Sequence, residues 1–258
     1  MEEAGVGAPV LLLPGLGYAA WCWREAMGGL ALHRRAIALD NRGTGRSDKP
    51  PGPYSIGQLA DDAAGVLDAL GVPAAHVVGH SMGGYVALTL ARRHPAKTLS
   101  LVLVATSAGG PQALPVPPQT LASWQSAAHL PPHEYARRTM PLSYAPGWVE
   151  THSDSFEGHL GARLKYPTPP QAWAAQFAAC QAYLDEGIPP AGIHAPTLVV
   201  HGTADRVVPF ENGRRLAAAL PRARLVTFEG GGHLCFLEKP AEFSRLLADE
   251  LTTFEEKR

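Results

Sequence analysis

The sequence predicts an α/β fold: a mostly parallel sheet with helices on both faces and an inserted helical lid. Three observations lead there. Short apolar, β-branched runs alternate with amphipathic helical runs, the pattern of a parallel sheet covered on both sides. One long stretch breaks that alternation. A serine between glycines stands where a strand passes into a helix.

Strands are expected at residues 10–13, 36–39, 76–78, 101–104, 197–200 and 224–228, each a short apolar run. Helices are expected at 56–70, where Leu59, Ala63, Val66 and Leu70 recur at helical spacing, and at 82–93 and 211–220. A last helix begins just after Pro240. Only a few residues precede the first strand.

Between residues 109 and 196 no convincing strand occurs. The stretch opens with Gly109-Gly110-Pro111 and Pro115-Val116-Pro117-Pro118, and it holds nearly half of the chain's aromatics, among them Trp124, Tyr144, Trp173 and Phe177. Its last piece, 171–184, reads as a helix with Trp173, Phe177 and Cys180 on one face. An ordinary helical layer on the sheet is one reading. An excursion this long and aromatic fits a substrate cover better. Residues 1–108 and 197–258 are therefore read as the core and 109–196 as a helical lid insertion.

The serine lies in Gly79-His80-Ser81-Met82-Gly83, between the strand pattern His76-Val77-Val78 and a helical run from Tyr85 onward. In that setting the pattern is a nucleophile elbow: a strained turn with the hydroxyl exposed at the carboxyl edge of the sheet. A neutral hydroxyl is a poor nucleophile, so it needs a base, and the base needs an orienting acid.

Of 11 histidines, His233 fits the base best. It follows the strand at 224–228 and the run Glu229-Gly230-Gly231-Gly232, which lets the backbone fold close over the sheet edge. His201, at the end of a strand, is a competitor, and His80 is expected to pack beneath the elbow. Asp205 fits the acid, in the turn after the strand at 197–200. Asp40 also ends a strand, but its tract reads as a hydrogen-bonded turn tied by Asp40 or Arg42. The order Ser81, Asp205, His233 is the one expected with such an elbow. An oxyanion needs two preorganised N–H donors. Met82, opening its helix, supplies one, and Leu16, in Pro14-Gly15-Leu16-Gly17, the other.

The net charge of −1 and 17% charged residues, without a like-charged block, argue against nucleic-acid or anionic-membrane partners. Three cysteines form no disulfide framework, and the acidic amino terminus lacks the features of a signal peptide. A soluble, cytoplasmic protein is expected. No metal-ligand spacing or dinucleotide fingerprint occurs, so no metal and no cofactor is implied.

Taken together, the chain resembles the α/β-hydrolase superfamily over essentially its whole length. The matching tracts are Pro14-Gly15-Leu16-Gly17, residues 40–50, Gly79-His80-Ser81-Met82-Gly83-Gly84, residues 202–209, and Gly232-His233 with Glu238-Lys239-Pro240. Within the superfamily it looks like the lid-bearing group of 3-oxoadipate enol-lactonases, small carboxylesterases and C–C bond hydrolases. Two departures stand out. Pro14 replaces the usual histidine before glycine in the first oxyanion loop, so different hydrogen bonds must brace that loop. There is also hardly room for the family's usual extra amino-terminal strands, so about six or seven strands are expected.

The resemblance implies hydrolysis of a small or medium carboxylic ester or lactone through an acyl-enzyme. A C–C hydrolase of a dienoic diketone acid is the alternative, and a triad-bearing small-molecule receptor with little turnover is a third reading. Tyr18, Trp21, Trp124, Tyr144, Trp173 and Phe177 are expected to line an apolar substrate pocket. Arg137, Arg138 and Arg163 read as solvated lid surface, with an acidic substrate as the alternative.

Overall fold

The computed structural model describes residues 1–256. Its sheet has seven strands: β1 (Glu2–Ala4), β2 (Ala8–Leu13), β3 (Arg34–Ala38), β4 (Ala75–His80), β5 (Thr98–Val104), β6 (Thr197–Gly202) and β7 (Ala223–Phe228), in the order β1-β3-β2-β4-β5-β6-β7. All neighbours are parallel except β1 with β3. Six strands lie where the sequence predicts them. The seventh, β1, was not predicted, because three residues beginning with two glutamates carry no apolar alternation. Ion pairs Arg24–Glu2 and Arg35–Glu3, both 2.7 Å, hold it to its neighbours.

Alternate residues of the strands serve two separate cores. Val10, Leu12, Val78, Val102, Val104, Leu198 and Val200 face one cluster, while Leu11, Leu13, Val77, Leu101, Leu103 and Val199 face the other. Both faces are buried, which is why the strands read as unbroken apolar runs. Helix α1 (Arg24–Leu30) contributes Met27 and Leu30 to the first core. Helices α2 (Ile56–Ala69) and α3 (Met82–Arg93) cover the second, through Leu59, Leu67, Val86 and Leu90. The Ser55 hydroxyl caps α2 by accepting the Gln58 N–H at 3.0 Å.

Between β5 and β6 the chain forms only helices: α4 (Pro118–Ala127), α5 (Pro132–Thr139), α6 (Trp148–Thr151), α7 (Ser153–Lys165) and α8 (Pro170–Glu186), with short 3-10 turns. Proline opens α4, α5 and α8, where its missing N–H costs nothing. The two strands of backbone that leave and rejoin the core are tied together, Gly110 N–H to Leu184 O at 2.7 Å and Ile188 N–H to Ala108 O at 2.9 Å.

Helices α9 (Phe210–Ala219), α10 (Cys235–Glu238) and α11 (Pro240–Glu256) complete the chain. Leu216 of α9 joins the second core; Phe243, Leu247 and Leu251 of α11 join the first. No helix among the described residues is long and apolar enough to cross a membrane. The segments following β2, β4, β6 and β7 carry the residues singled out above, at the carboxyl edge of the sheet.

Candidate active site

Ser81 joins β4 to α3 with φ 53° and ψ −119°, a region that costs a non-glycine residue about 1–3 kcal/mol and persists only when its surroundings fix it. Here they do. Its N–H donates to Val104 O at 2.9 Å, and its carbonyl accepts from Gly84 N–H and from Thr106 Oγ1, both at 2.8 Å. The glycines around it are a packing requirement: a Cβ on Gly83 would run into the Leu13 carbonyl, and one on Gly79 into the carbonyl of Gly83.

Asp205 lies in the turn after β6, with its side chain fully buried. Its Oδ1 accepts the N–H groups of Val207 and Val208 at 2.7 and 2.9 Å, and its Oδ2 meets His233 Nδ1 at 2.8 Å. Burial alone would raise its pKa. The neighbouring His233 and the hydrogen bonds from His201 and His233 outweigh that and hold the carboxyl well below its ordinary range. An ionised Asp205 requires a hydrogen on Nδ1 of His233, which leaves Nε2 as the ring nitrogen able to accept a proton.

The competitors have other partners. Asp40 accepts Ala20 N–H at 2.8 Å and Arg46 N–H at 3.1 Å, tying its turn together, while Arg42 pairs with Asp62 at 2.6 Å. His201 sits against Asp205, its Nε2 3.3 Å from Oδ2 and 2.9 Å from Val208 O, and does not line the cavity at Ser81. His80 packs beneath the elbow, its Nε2 donating to the His233 carbonyl at 3.1 Å. Burial, and then the adjacent His233, push its pKa well below the usual imidazole range, so it stays neutral and serves as a prop.

Ser81 and His233 share a cavity of about 70 Å³ with Leu16, Tyr18, Trp124 and Trp173. Met82 is the first residue of α3, where an N–H has no acceptor within the helix. Three aromatics expected in this pocket lie elsewhere. Trp21 belongs to the sheet-face core, its ring 5.6 Å from that of Tyr18. Tyr144 is fully buried, stacked on Trp148 at 4.6 Å with its hydroxyl 2.9 Å from His159 Nδ1. Phe177 stacks on Trp173 at 5.1 Å but lines a different cleft, with Leu114 and Leu121. Sequence reading missed Tyr135, Thr139, Met140, Ser143 and Val207 as lining residues, and took Arg163 for surface. The missed residues sit on a short helix, a 3-10 turn and the turn after β6, where no sequence repeat marks which side meets the cavity.

A second cleft of about 220 Å³ adjoins this cavity and shares Tyr135, Arg163 and Trp173 with it; Leu130, Pro132 and Leu164 add to its largely apolar wall. The Arg163 guanidinium lies 4.7 Å over the Tyr18 ring. Arg137, by contrast, is tied to Glu157 at 2.6 Å. A serine at a strained turn, an imidazole and a buried ionised carboxylate can together generate a nucleophile and shuttle its proton.

A model of the alpha/beta hydrolase fold family matches residues 8–240. The chain is 33% identical over 271 residues to a 2-hydroxymuconate semialdehyde hydrolase of Pseudomonas sp. (strain CF600), covering 97% of this chain and 89% of that protein. Among solved structures, a thermophilic esterase from Thermogutta terrifontis matches with a TM-score of 0.83 at 27% identity, covering 98% of this chain and 92% of that one. The enol-lactonase from Burkholderia xenovorans LB400 matches with a TM-score of 0.81 at 27% identity, over 97% and 95%.

Proposed function

Because the chain belongs to the α/β-hydrolase fold family, we propose that it is a serine hydrolase of small or medium carboxylic esters or lactones. One observation carries the proposal: Ser81 and His233 line a single cavity, and His233 Nδ1 is 2.8 Å from the buried Asp205 carboxylate. The similarity to an esterase and an enol-lactonase supports it.

In this reading His233 Nε2 removes the Ser81 proton as Oγ attacks the substrate carbonyl. Asp205 orients the imidazole and stabilises its charged form. The tetrahedral oxyanion sits between the Leu16 and Met82 N–H groups. Collapse expels the alcohol with the proton from His233, and a water activated by the same imidazole releases the acid. The segment 109–196 acts as the lid, and its adjoining apolar cleft takes the substrate chain beyond Trp173. The buried, free cysteines Cys22, Cys180 and Cys235 agree with a cytoplasmic setting.

A specific observation favours a second reading. Arg163 lines the cavity, and no carboxylate among the described residues pairs with it. It could bind the carboxylate of a dienoic diketone acid undergoing C–C hydrolysis, which goes with the similarity to a 2-hydroxymuconate semialdehyde hydrolase. Purified protein should be profiled against p-nitrophenyl esters, lactones, thioesters and a dienoic diketone acid, with Ser81→Ala beside it. Ester or lactone turnover that vanishes in the variant is expected. Turnover of the diketone acid alone would favour the second reading, and none at all a receptor.

A further inference from the structure

The loop Pro14-Gly15-Leu16-Gly17 lacks the histidine that usually braces it, and side chains from distant parts of the chain hold it instead. Asn41 Nδ2 donates to Pro14 O at 3.1 Å. Gln176, on α8 and fully buried, accepts the Gly17 N–H on Oε1 at 3.0 Å and donates from Nε2 to Arg42 O at 2.9 Å. Thr168, just before α8, donates from Oγ1 to Gly17 O at 3.3 Å. Two of the three braces thus come from the segment 109–196.

The amide of Gln176 has only one orientation that works. Gly17 presents a donor and Arg42 an acceptor, so a flipped amide would set donor against donor and acceptor against acceptor. Gly17 itself has φ 68°, and a Cβ there would stand 2.9 Å from Trp173 Cδ1. The loop therefore fits closely under α8 and is pinned on both sides of Leu16. Without the Gln176 bond, the Gly17 N–H would be buried without a partner, and the loop would shift to find one.

We propose that Gln176 is a positioning residue for the oxyanion hole: it fixes Gly17 and so aims the Leu16 N–H at the oxyanion. The inference rests on the serine-hydrolase reading. Its consequence is that the inserted segment sets the rate of the chemical step as well as the choice of substrate. Donors aimed in advance at the developing charge stabilise the transition state more than the bound ester.

Two variants test it. Gln176→Leu keeps the size and loses both bonds. It should lower kcat on p-nitrophenyl acetate by about 10- to 100-fold, the scale of a misplaced rather than a deleted donor, while KM stays close to the parent. Affinity for an alkyl boronic acid, whose serine adduct carries a tetrahedral oxygen, should fall in parallel with kcat. Gln176→Glu, when protonated, can remake both bonds: its carbonyl accepts from Gly17 and its hydroxyl donates to Arg42. The ratio of its kcat to that of the parent should therefore rise as the pH is lowered.

Amide exchange at Gly17 reads the brace without turnover. It should be slow in the parent and fast in Gln176→Leu at equal melting temperature. A rise in KM with kcat unchanged, a Glu-to-parent ratio that ignores pH, or Gly17 exchange unaltered by Gln176→Leu would each overturn the proposal. A parent inactive on every ester, lactone and dienoic diketone acid would remove the serine-hydrolase reading, and the exchange result would still decide whether Gln176 braces the loop.

Discussion

Around Ser81 the chain is held mainly by its own backbone, whereas the opposite wall of the cavity, drawn from residues 109–196, is held against the core largely by side chains. Apart from the Thr106 hydroxyl, the elbow's contacts run from carbonyl to N–H between β4, β5 and α3, and its glycines leave no room for a single added carbon. In the inserted segment, helices with proline starts meet the core through Gln176 and Thr168, and Arg206 of the core reaches the carbonyls of Pro141 and Tyr144. Gly158 and Gly161 in α7 have no atom in the way of a Cβ. Backbone packing fixes a reaction geometry within narrow limits. Side-chain packing can be re-cut, so it suits a substrate wall.

The largest expected effects lie on the backbone-held side. His233→Ala should cost nearly as much as Ser81→Ala, on the order of 10⁶ in kcat, and Asp205→Asn about 10⁴, because residual catalysis survives a poorly held imidazole. His201→Ala and Asp40→Asn should cost less in kcat on a short ester, since neither residue reaches the cavity. A matching loss in either, with the fold intact, would mean that the partners of Ser81 have been misassigned.

Gly83→Ala should destabilise the protein by about 3 kcal/mol or more, since the new carbon meets the Leu13 carbonyl. Gly158→Ala, within α7, should instead stabilise it by about 0.5–1 kcal/mol. Denaturant titration of the two variants checks both signs. Similar behaviour of the two would remove the contrast between the regions.

Trp173→Ala should remove apolar contact worth about 1–3 kcal/mol to a long acyl or alkyl chain, and leave p-nitrophenyl acetate turnover largely intact. Phe177→Ala should change the chain-length ranking less, because its ring lines a separate cleft. Equal effects of the two on long esters would show that the two clefts act as one.

A gentler test uses pH. The pKa of Asp205 is depressed in the folded protein, from an ordinary value of 3.8. Its ionised form therefore adds stability that is present above about 3.9 and is lost as pH falls through the folded value. Urea melts at stepped pH should show the stability gap between the parent and Asp205→Asn constant near neutrality and closing below about 4. A gap that widened on acidification would contradict the assigned direction.

The same contrast explains what could be read from the sequence. The strands and the helix α3 announce themselves because both sheet faces are buried and the elbow demands glycine; Asp205 and His233 follow from their places after β6 and β7. The side of α8 that meets the cavity could not be read. Trp173 and Phe177 look equivalent on the helical repeat, and only the docking of α8 against Gly17 separates them. Gln176 carried no distinguishing signal, since α8 also holds Gln171 and Gln181. Its partners, Gly17 and Arg42, are more than a hundred residues away. Strand β1 gave no signal, since its three residues, Glu2-Glu3-Ala4, join the sheet through the backbone ladder with β3 and carry no apolar alternation.

In the proposed function Ser81 is the covalent nucleophile of a site assembled by Asp205 and His233. Peptide mapping after reaction with a fluorophosphonate probe tests it most directly. A single adduct on Ser81 is expected, formed by the native protein, absent after denaturation and in Ser81→Ala, and slowed in His233→Ala. An adduct on any other residue, or an alanine variant that keeps both label and ester turnover, would contradict it.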